Sequence, residues 1–443
     1  MEVIGMKSMK SIAALLMALT ISLSATACNT QTKQPAASTD STGSTSSAGT
    51  AAPDFKGKTL TVGIWGGNDT ETKSINIVKN GFESKTGAAV KFKVYTDYNT
   101  QIQADFAAKT APDTFYVDVS MFKYIDSLGV LQPLDSKEMG AGNYYENMIS
   151  AFSSQDGKLY AIPKDLSTLA MYYNTDLLSS VGMSKSDIPT AWEDFKAFLP
   201  KLQEKLDAKY GKGKVAAMTY NQDLSRNLHL LDRDGASVTD KDGKAALSSD
   251  GILKNLDFIL SLVKTGAYKT PKDLGLGWNG EVFGTGKCAI MEEGNWVYGT
   301  LKQNYPNIKF GVTDMPSYEG KKSSMFFTVG YGIYKNTQNT ALAKAWIQYA
   351  TGSEGMYNWC TGTGTIPSRQ DVADRMDLKS DPVLSVHLNQ QQYAQPWTLG
   401  RYTSIINTAY QNFLPNAVSG KASLKDAMAQ ADKQANQQID NAQ

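Results

Sequence analysis

The chain has 443 residues, a hydrophobic content of 41%, a charged content of 20% and a formal net charge of +1. This length suffices for one large two-lobed domain or for two to three domains of roughly 150 residues each, and the composition is that of a globular protein. The near-zero charge provides no global field that would favour nucleic acid, a membrane surface or an acidic substrate.

The N-terminal residues 1–27 have the pattern of a secretory signal peptide. Lys7 and Lys10 form a short positive region, and residues 12–23 form an apolar stretch that is too short for a stable transmembrane helix. Small residues then lead to Cys28, in an arrangement that resembles the bacterial lipobox. We therefore predict that Cys28 is lipidated and becomes the new N-terminus. The alternative is an ordinary signal peptide cleaved just before an incidental cysteine.

The segment 28–53 is rich in Ser, Thr and Ala and contains almost no large apolar residue. Such a segment cannot offset the entropy cost of ordering. We interpret it as a flexible tether that spans roughly 25–30 Å, which suits a leash between a membrane lipid and a folded body. The chain is thus expected at the extracytoplasmic face of a bacterial cell membrane.

The first part of the body alternates between strand and helix patterns. Apolar or alternating stretches at 59–65, 89–95 and 114–119 predict strands, and helical spacing over 71–86 and 100–109 predicts the intervening helices. Strands that alternate with helices are typical of a parallel sheet in an α/β fold. Ligands of such sheets bind beyond the carboxyl ends of the strands.

Polar and aromatic residues follow each of these three predicted strands. Trp65, Asn68 and Asp69 follow the first, Asp97 the second and Asp118 the third. Their common position at one edge of the sheet favours a ligand crevice there. The alternative is that Asn and Asp are present because they favour turns.

The middle of the chain is more helical. Residues 191–209 predict a helix that is interrupted at Pro200. Residues 232–250 superficially resemble a calcium loop but lack its spacing and its final Glu, so we interpret them as hairpin turns around Asp234 and Asp242, each followed by Gly.

Histidine and cysteine are scarce. His229 and His387 are far apart, and no cluster has zinc-ligand spacing, so neither a metal nor a cofactor is expected. Cys288 and Cys360 either pair outside the cell or are buried free thiols, and we favour the buried free thiols.

Several passages together resemble the extracellular solute-binding proteins of ABC importers, in the branch that includes the maltose-binding proteins. The resemblance covers about residues 54 to 435 and rests on the order and spacing of the passages. They are APDTF at 111–115 with LGVLQPL at 128–134, DGKLYAIPKDLSTLAMYYNTDLL at 156–178, PTAWEDF at 189–195, GKCAIMEEGNW at 286–296, residues 329–350 followed by GTGTIPS at 362–368, and residues 414–427.

The resemblance implies a type II periplasmic-binding-protein-like fold of two α/β lobes connected by hinge segments. Lobe 1 would contain residues 54–166 and 328–368, and lobe 2 would contain residues 167–327 and 369–443. A carbohydrate would bind in the cleft between the lobes, which close around it by hinge motion. The implied partners are the permease subunits of an ABC transporter, for a protein that acts as a monomer and binds no nucleic acid.

The resemblance also implies a set of ligand-binding residues. Trp296 matches the family tryptophan that stacks on a sugar ring, although a core tryptophan is the alternative. Asp165 falls at the first hinge crossing, where its carboxylate would reach the cleft. The complete expected set is Trp65, Asn68, Asp69, Asp97, Asp118, Asp165, Trp278, Glu293, Trp296, Tyr331, Trp397 and Arg401.

These residue types favour a sugar over a zwitterionic ligand. A carboxylate accepts hydrogen bonds from hydroxyls, whereas an amino acid or peptide would require an Arg, and Arg401 is the one cleft candidate that the sequence indicates. A glycosidase would need two carboxyl groups held about 5–9.5 Å apart, and Glu292 and Glu293 are adjacent. A serine hydrolase would need a base near a G-x-S-x-G turn, and neither His229 nor His387 is near one. We therefore expect a binding protein rather than an enzyme. A surface adhesin, with a broad exposed patch in place of a cleft, is the third class.

Overall fold

The computed structural model describes residues 55–442. The predicted signal peptide, Cys28 and the tether therefore lie outside the described residues. No helix within 55–442 is both long and apolar enough to cross a membrane.

The strands belong to two sheets. In chain order they are β1 Thr59–Trp65, β2 Ala89–Tyr95, β3 Thr114–Asp118, β4 Ala161–Pro163, β5 Ser167–Asn174, β6 Ala216–Thr219, β7 Tyr268–Lys269, β8 Cys288–Gly294, β9 Phe310–Thr313, β10 Ser324–Phe327, β11 Val329–Ile333 and β12 Ala394–Pro396.

Helices cover both sheets. They are α1 Asp69–Thr86, α2 Tyr98–Ala108, α3 Val119–Ser127, α4 Glu146–Ser150, α5 Thr175–Ser180, α6 Trp192–Tyr210, α7 Leu224–Leu231, α8 Asp250–Val263, α9 Asn279–Gly284, α10 Trp296–Asn304, α11 Thr340–Ala350, α12 Ser353–Thr363, α13 Gln370–Arg375, α14 Leu384–Gln390, α15 Thr403–Val418 and α16 Leu424–Asn441.

The first sheet has the order β2-β1-β3-β11-β4. β1 is parallel to β2 and β3, whereas β11 is antiparallel to β3 and β4. The carboxyl ends of β1, β2 and β3 therefore lie at one edge of the sheet. The second sheet has the order β12-β10-β5-β8-β6-β7, and β9 pairs with β5.

The chain passes between the two sheets at three neighbouring places. Residues 164–166 connect β4 to β5, and Thr328 alone separates β10 from β11. Ile366 pairs with Leu166 through two backbone hydrogen bonds of 2.7 and 2.9 Å. The Thr328 hydroxyl donates to the Asp165 carbonyl at 2.7 Å, which joins the first two crossings. These segments lie next to the carboxyl ends of the parallel strands and define the site described below.

The local predictions were accurate where periodicity was strong. β1 and β2 have the predicted bounds, and α1, α2 and β3 differ by only one or two residues at their ends. The parallel arrangement of β1, β2 and β3 is confirmed.

The predicted interruption at Pro200 is wrong, because α6 continues through it. Pro200 and Lys196, whose carbonyl loses its helical partner, are both exposed, so water can satisfy this carbonyl. The predicted hairpin turn around Asp242 is confirmed by the antiparallel pairing of Thr239 with Ala245, whereas Asp234 lies in a turn with a left-handed backbone and no strand pairing across it. Cys288 and Cys360 are buried free thiols, as expected.

Candidate functional site

A cleft lies where the carboxyl ends of β1 and β3 face the second sheet. Its larger compartment has a volume of about 460 Å³. The first-sheet side contributes Trp65, Asn99, Asp118, Ser120 and Met121, and the opposite side contributes Ser225, Arg226, Phe327 and Trp397. The adjoining compartment has a volume of about 220 Å³ and shares Trp65, Asp118 and Phe327 with the first. Its further lining consists of Glu71, Lys164, Asp165, Ser167, Trp296, Thr328, Val329 and Thr365. We call the two compartments together the cleft.

Aromatic rings line both walls of the cleft. Trp65, the last residue of β1, is half-buried and is held edgewise by Tyr98 and Tyr116, with ring centroids 5.5 and 4.7 Å away. On the opposite wall, Trp296 packs edgewise on Phe327 at 5.2 Å. An edge-to-face arrangement is a preferred geometry for aromatic pairs, and these contacts fix the orientation of both indole rings. The cleft therefore offers rigid apolar faces to a ligand.

Arg226 forms an ion pair on the second-sheet wall. Its Nη2 lies 2.7 Å from Oε1 of Glu293, and the Glu293 side chain is only 2% exposed. The guanidinium carbon lies 5.1 Å from the Trp296 ring centroid and 5.4 Å from that of Phe327. Burial raises the pKa of Glu293, while Arg226 opposes this shift. The pair places a guanidinium, a donor-only group, on this side of the cleft.

Asp118 lies on the facing wall at the end of β3. Its side chain caps α3 by accepting the Ser120 backbone N–H at 2.8 Å. Burial raises the pKa of this carboxyl above its usual value, and the hydrogen bonds from Ser120 oppose the shift. Asp118 forms no salt bridge within residues 55–442, so its carboxylate can accept hydrogen bonds from a ligand.

Lys164 and Asp165 form a buried ion pair at the first crossing between the sheets. Asp165 also accepts the indole N–H of Trp359 at 2.7 Å, and the Lys164 ammonium lies 3.8 Å from the centroid of the same indole. Asp165 therefore lines the cleft, but its carboxylate is already engaged on the protein side.

Glu71 also reaches the cleft from the first turn of α1. Burial raises the pKa of this carboxyl, and the charge of Lys164 opposes the shift. Glu71 completes the capping box of α1 with Asn68. Its position in the cleft is thus fixed by the start of the helix.

The structure brings six of the expected site residues together at the cleft. Five of them line it directly, and Glu293 supports Arg226 from behind. The five lining residues are Trp65, Asp118, Asp165, Trp296 and Trp397.

The other expected residues lie elsewhere. Asn68 and Asp97 are exposed helix caps that accept the backbone N–H groups of Glu71 and Thr100 at 3.0 and 3.2 Å, and Asp69 is exposed beside Asn68. Local turn chemistry accounts for these residues, and none of the three lines the cleft.

Trp278, Arg401 and Tyr331 are also outside the cleft lining. Trp278 is 36% exposed at the start of α9, and Arg401 is exposed beside the ring of Tyr402. Tyr331 is 1% exposed and packs between Tyr116 and Trp346 in the core of the first sheet.

Sequence reasoning did not identify Arg226, Phe327, Lys164 and Glu71 as cleft residues. The expectation that Arg401 is the one cleft arginine needs correction, because Arg226 occupies that role. The available signal was the position of Arg226 in the segment after β6, where a strand of the second sheet ends. That strand has only four residues and was not predicted.

The two adjacent glutamates considered from the sequence as a catalytic pair are both engaged within the protein. Glu292 and Glu293 are neighbours on β8: Glu293 pairs with Arg226, and Oε1 of Glu292 lies 3.6 Å from Nε2 of the buried His229. Over the described range 55–442, no group of three or more His, Cys, Asp or Glu side chains has the arrangement of a metal site.

Comparisons with known proteins give a consistent result. Residues 78–386 match the family model described as bacterial extracellular solute-binding protein. The chain is 24% identical over 391 residues to the maltodextrin-binding protein MdxE of Bacillus subtilis, covering 85% of this chain and 89% of the relative. It is 24% identical over 436 residues to a maltooligosaccharide ABC transporter solute-binding lipoprotein of Streptococcus pneumoniae serotype 4, covering 95% of each.

A solved structure supports the fold. An ABC substrate-binding protein from Listeria monocytogenes, in complex with cycloalternan, superimposes with a TM-score of 0.73 at 19% identity, covering 86% of this chain and 99% of that protein. The predicted two-lobed fold of the periplasmic binding proteins is thereby confirmed. The family match covers more than half of the chain, and the chain belongs to the bacterial extracellular solute-binding proteins.

Proposed function

We propose that this protein captures an oligosaccharide in the cleft and delivers it to the permease of an ABC importer. The observation that carries the proposal is that the two walls of the cleft present different and complementary chemical groups. Trp65 and the carboxylate of Asp118 stand on one side, and Trp296, Phe327 and the guanidinium of Arg226 stand on the other.

The chemistry of these groups matches a polyhydroxylated ligand. Each sugar hydroxyl can donate to Asp118 and accept from Arg226, and a hydrogen bond to a charged group contributes about 1.5–3 kcal/mol net. The indole rings supply flat apolar faces for the C–H faces of a pyranose. Because Arg226 is paired with Glu293, it presents donors without an uncompensated positive charge, which favours a neutral ligand over an anionic one.

The size of the cleft favours more than one sugar unit. The larger compartment, about 460 Å³, lies within the range of small-molecule sites, roughly 300–1,000 Å³. Trp65 also borders a third, smaller space of about 130 Å³ beside Phe92 and Val94. The named ligands of the relatives, maltodextrin and maltooligosaccharide, support an oligosaccharide as well.

The two sheets suggest how capture occurs. We assign residues 54–166 and 328–368 to lobe 1, and residues 167–327 and 369–443 to lobe 2. The crossings at 164–166, Thr328 and Ile366 then form the hinge, and a ligand that contacts both walls stabilises the closed form. The closed monomer is the species that docks on the permease.

The protein acts at the outer face of the membrane, attached through lipidated Cys28 after removal of residues 1–27. The residues up to 53 serve as the tether. The name of the pneumococcal relative, a lipoprotein, supports this assignment. Changing Cys28 to Ala should release the protein into the medium or leave its precursor unprocessed, as judged by cell fractionation and mass spectrometry. A variant that is processed normally and stays on the membrane would exclude lipidation.

Binding without turnover separates this function from that of a carbohydrate-active enzyme. The full chain is incubated with end-labelled malto-oligosaccharides, and gel filtration separates the protein with its bound sugar from the free sugar. The protein fraction is then denatured to release the bound sugar, and both fractions are analysed. We expect the labelled sugar to be recovered at its original length. Shortened or transferred products that scale with protein concentration would instead identify an enzyme.

A further inference from the structure

A second cavity lies between the two halves of the molecule, away from the cleft. It has a volume of about 420 Å³ and shares no lining residue with the cleft. We call it the rear groove. It is lined by helices α10 and α12 and by residues between 375 and 384.

Two cations border the rear groove, each placed over a tyrosine ring. The Arg375 guanidinium carbon lies 3.6 Å from the Tyr357 ring centroid, and the Lys302 ammonium lies 4.1 Å from that of Tyr298. Neither cation forms a salt bridge with any residue in the described part of the chain. Lys302 and Arg375 are both exposed, so their charges can reach a further, anionic group.

The acidic residue of the groove is already engaged. Oδ2 of Asp381 accepts the Tyr298 hydroxyl at 3.1 Å, and Oδ1 accepts the backbone N–H groups of Val383 and Leu384, both at 2.8 Å. Asp381 therefore does not pair with Lys302 or Arg375. The groove combines positive charge at its rim with an apolar wall formed by Leu378, Leu384 and Met376.

We propose that the rear groove binds a small organic anion, in which a phosphate or carboxylate group contacts Lys302 and Arg375 and an apolar body packs on the wall. Planar guanidinium and point-charge ammonium groups both suit such anions. The volume of the groove lies within the range of ligand sites, roughly 300–1,000 Å³.

The position of the groove connects it to the cleft. Helix α10 begins at the cleft with Trp296 and continues into the groove with Tyr298 and Lys302. Between them, Gly299 touches the end of α12 so closely that a Cβ there would lie 2.7 Å from the Thr363 carbonyl oxygen. Helix α10 therefore contributes residues to both cavities, and its backbone meets α12 between them.

We infer that an anion in the groove opposes closure of the cleft. Helix α10 follows β8 of the second sheet, and α12 packs against α1 of the first. A ligand that contacts both helices resists a relative movement of the two sheets, which closure of the cleft requires. This consequence rests on the proposed capture function, whereas anion binding by itself does not.

Anion binding is tested by isothermal titration calorimetry of the full chain without sugar. Phenyl phosphate and benzoate are the probes, and phenol is the uncharged counterpart. At least one of the two anions should bind, with phenol weaker by about tenfold or more, the factor for losing one charged hydrogen bond. The two anions distinguish phosphate from carboxylate recognition.

The variants assign the site. Lys302→Ala combined with Arg375→Ala should lower anion affinity by about tenfold or more. Lys201→Ala combined with Lys425→Ala removes two exposed cations elsewhere, on α6 and α16, and should leave it unchanged. Equal loss in both double variants, or equal affinity for phenol, would overturn the proposal.

The coupling is measured with an oligosaccharide that binds the cleft. Saturating phenyl phosphate should weaken sugar binding, and the sugar should weaken phenyl phosphate binding by the same factor. The Lys302 and Arg375 double variant should lose this effect while keeping its sugar affinity. Unchanged sugar affinity in saturating phenyl phosphate would contradict the opposition between the two cavities. A chain that binds the anion but no sugar would contradict the capture function alone.

Discussion

At the scale of single residues, the cleft depends on side chains whose orientation is fixed by neighbours. Trp296 is held by Phe327 and Arg226, and Arg226 in turn by the buried Glu293. Such preorganisation lowers the cost of ordering the site when a ligand binds. It also explains why composition alone could not locate the site, because an indole in a cleft and an exposed indole such as Trp278 are the same residue type in the sequence.

Replacing Trp296 with Ala should weaken oligosaccharide binding by about tenfold or more, because burying a large apolar side chain contributes about 1.5–3 kcal/mol. Titration calorimetry measures the effect. Trp278→Ala is the matched control, since Trp278 is 36% exposed and lies outside the cleft lining, and it should bind as the parent does. If both variants lose affinity equally, the cleft is misassigned.

The Arg226–Glu293 pair gives a second prediction. Arg226→Met alone leaves a carboxylate without its partner at 2% exposure, and removing one member of a buried pair costs about 3–5 kcal/mol. Combining it with Glu293→Gln should restore part of the lost stability. Urea unfolding of the four proteins measures the cycle. A double variant less stable than Arg226→Met would show that the two side chains do not act as a pair.

At the scale of elements, sequence periodicity predicted the strands and helices whose signals are local in the chain. β1, β2 and their helices were identified because apolar spacing and caps are local signals. The short β6, the passage of α6 through Pro200 and the cleft arginine were missed. β6 and the cleft arginine depend on packing between segments far apart in the chain: the partner of Arg226 is 67 residues away. The strand-end polar residues were predicted as one group, yet Asn68 and Asp97 cap helices and only Asp118 lines the cleft.

His387 joins α14 to β5 and gives a pH-dependent prediction. Its Nδ1–H donates to the Thr168 carbonyl at 2.8 Å, and its Nε2 accepts the Tyr172 hydroxyl at 2.7 Å. Burial lowers the pKa of this imidazole to about 3, whereas an unfolded histidine titrates near 6.5. The folded state therefore binds fewer protons than the unfolded state between these values.

The contribution of His387 to stability is complete above about pH 6.5 and is lost as the pH falls towards about 3, by about 1.4 kcal/mol per pH unit. Urea unfolding of the parent and of His387→Gln at several pH values tests this. The stability difference between the two proteins should shrink by about that slope below pH 6.5, because other titrating groups are common to both. A difference that does not change with pH would contradict a neutral, buried His387.

At the scale of the whole molecule, the resemblance in the sequence predicted the two-lobed fold, and the family match and structural comparison confirm it. The exact ligand is a different matter, because it depends on side chains from both sheets that meet only after folding. The crossings between the two sheets bring these walls together. The cleft is thus a property of the assembled molecule rather than of any one segment.

The most direct test of capture is equilibrium binding of neutral oligosaccharides to the full chain, measured by titration calorimetry with linear malto-, arabino- and galacto-oligosaccharides of two to seven units. We predict that at least one series binds with one-to-one stoichiometry and an affinity near the micromolar range, about −8 kcal/mol, and that longer members bind more tightly than the disaccharide. The absence of binding by every series, together with clear binding of an amino acid, peptide or polyamine, would contradict the account.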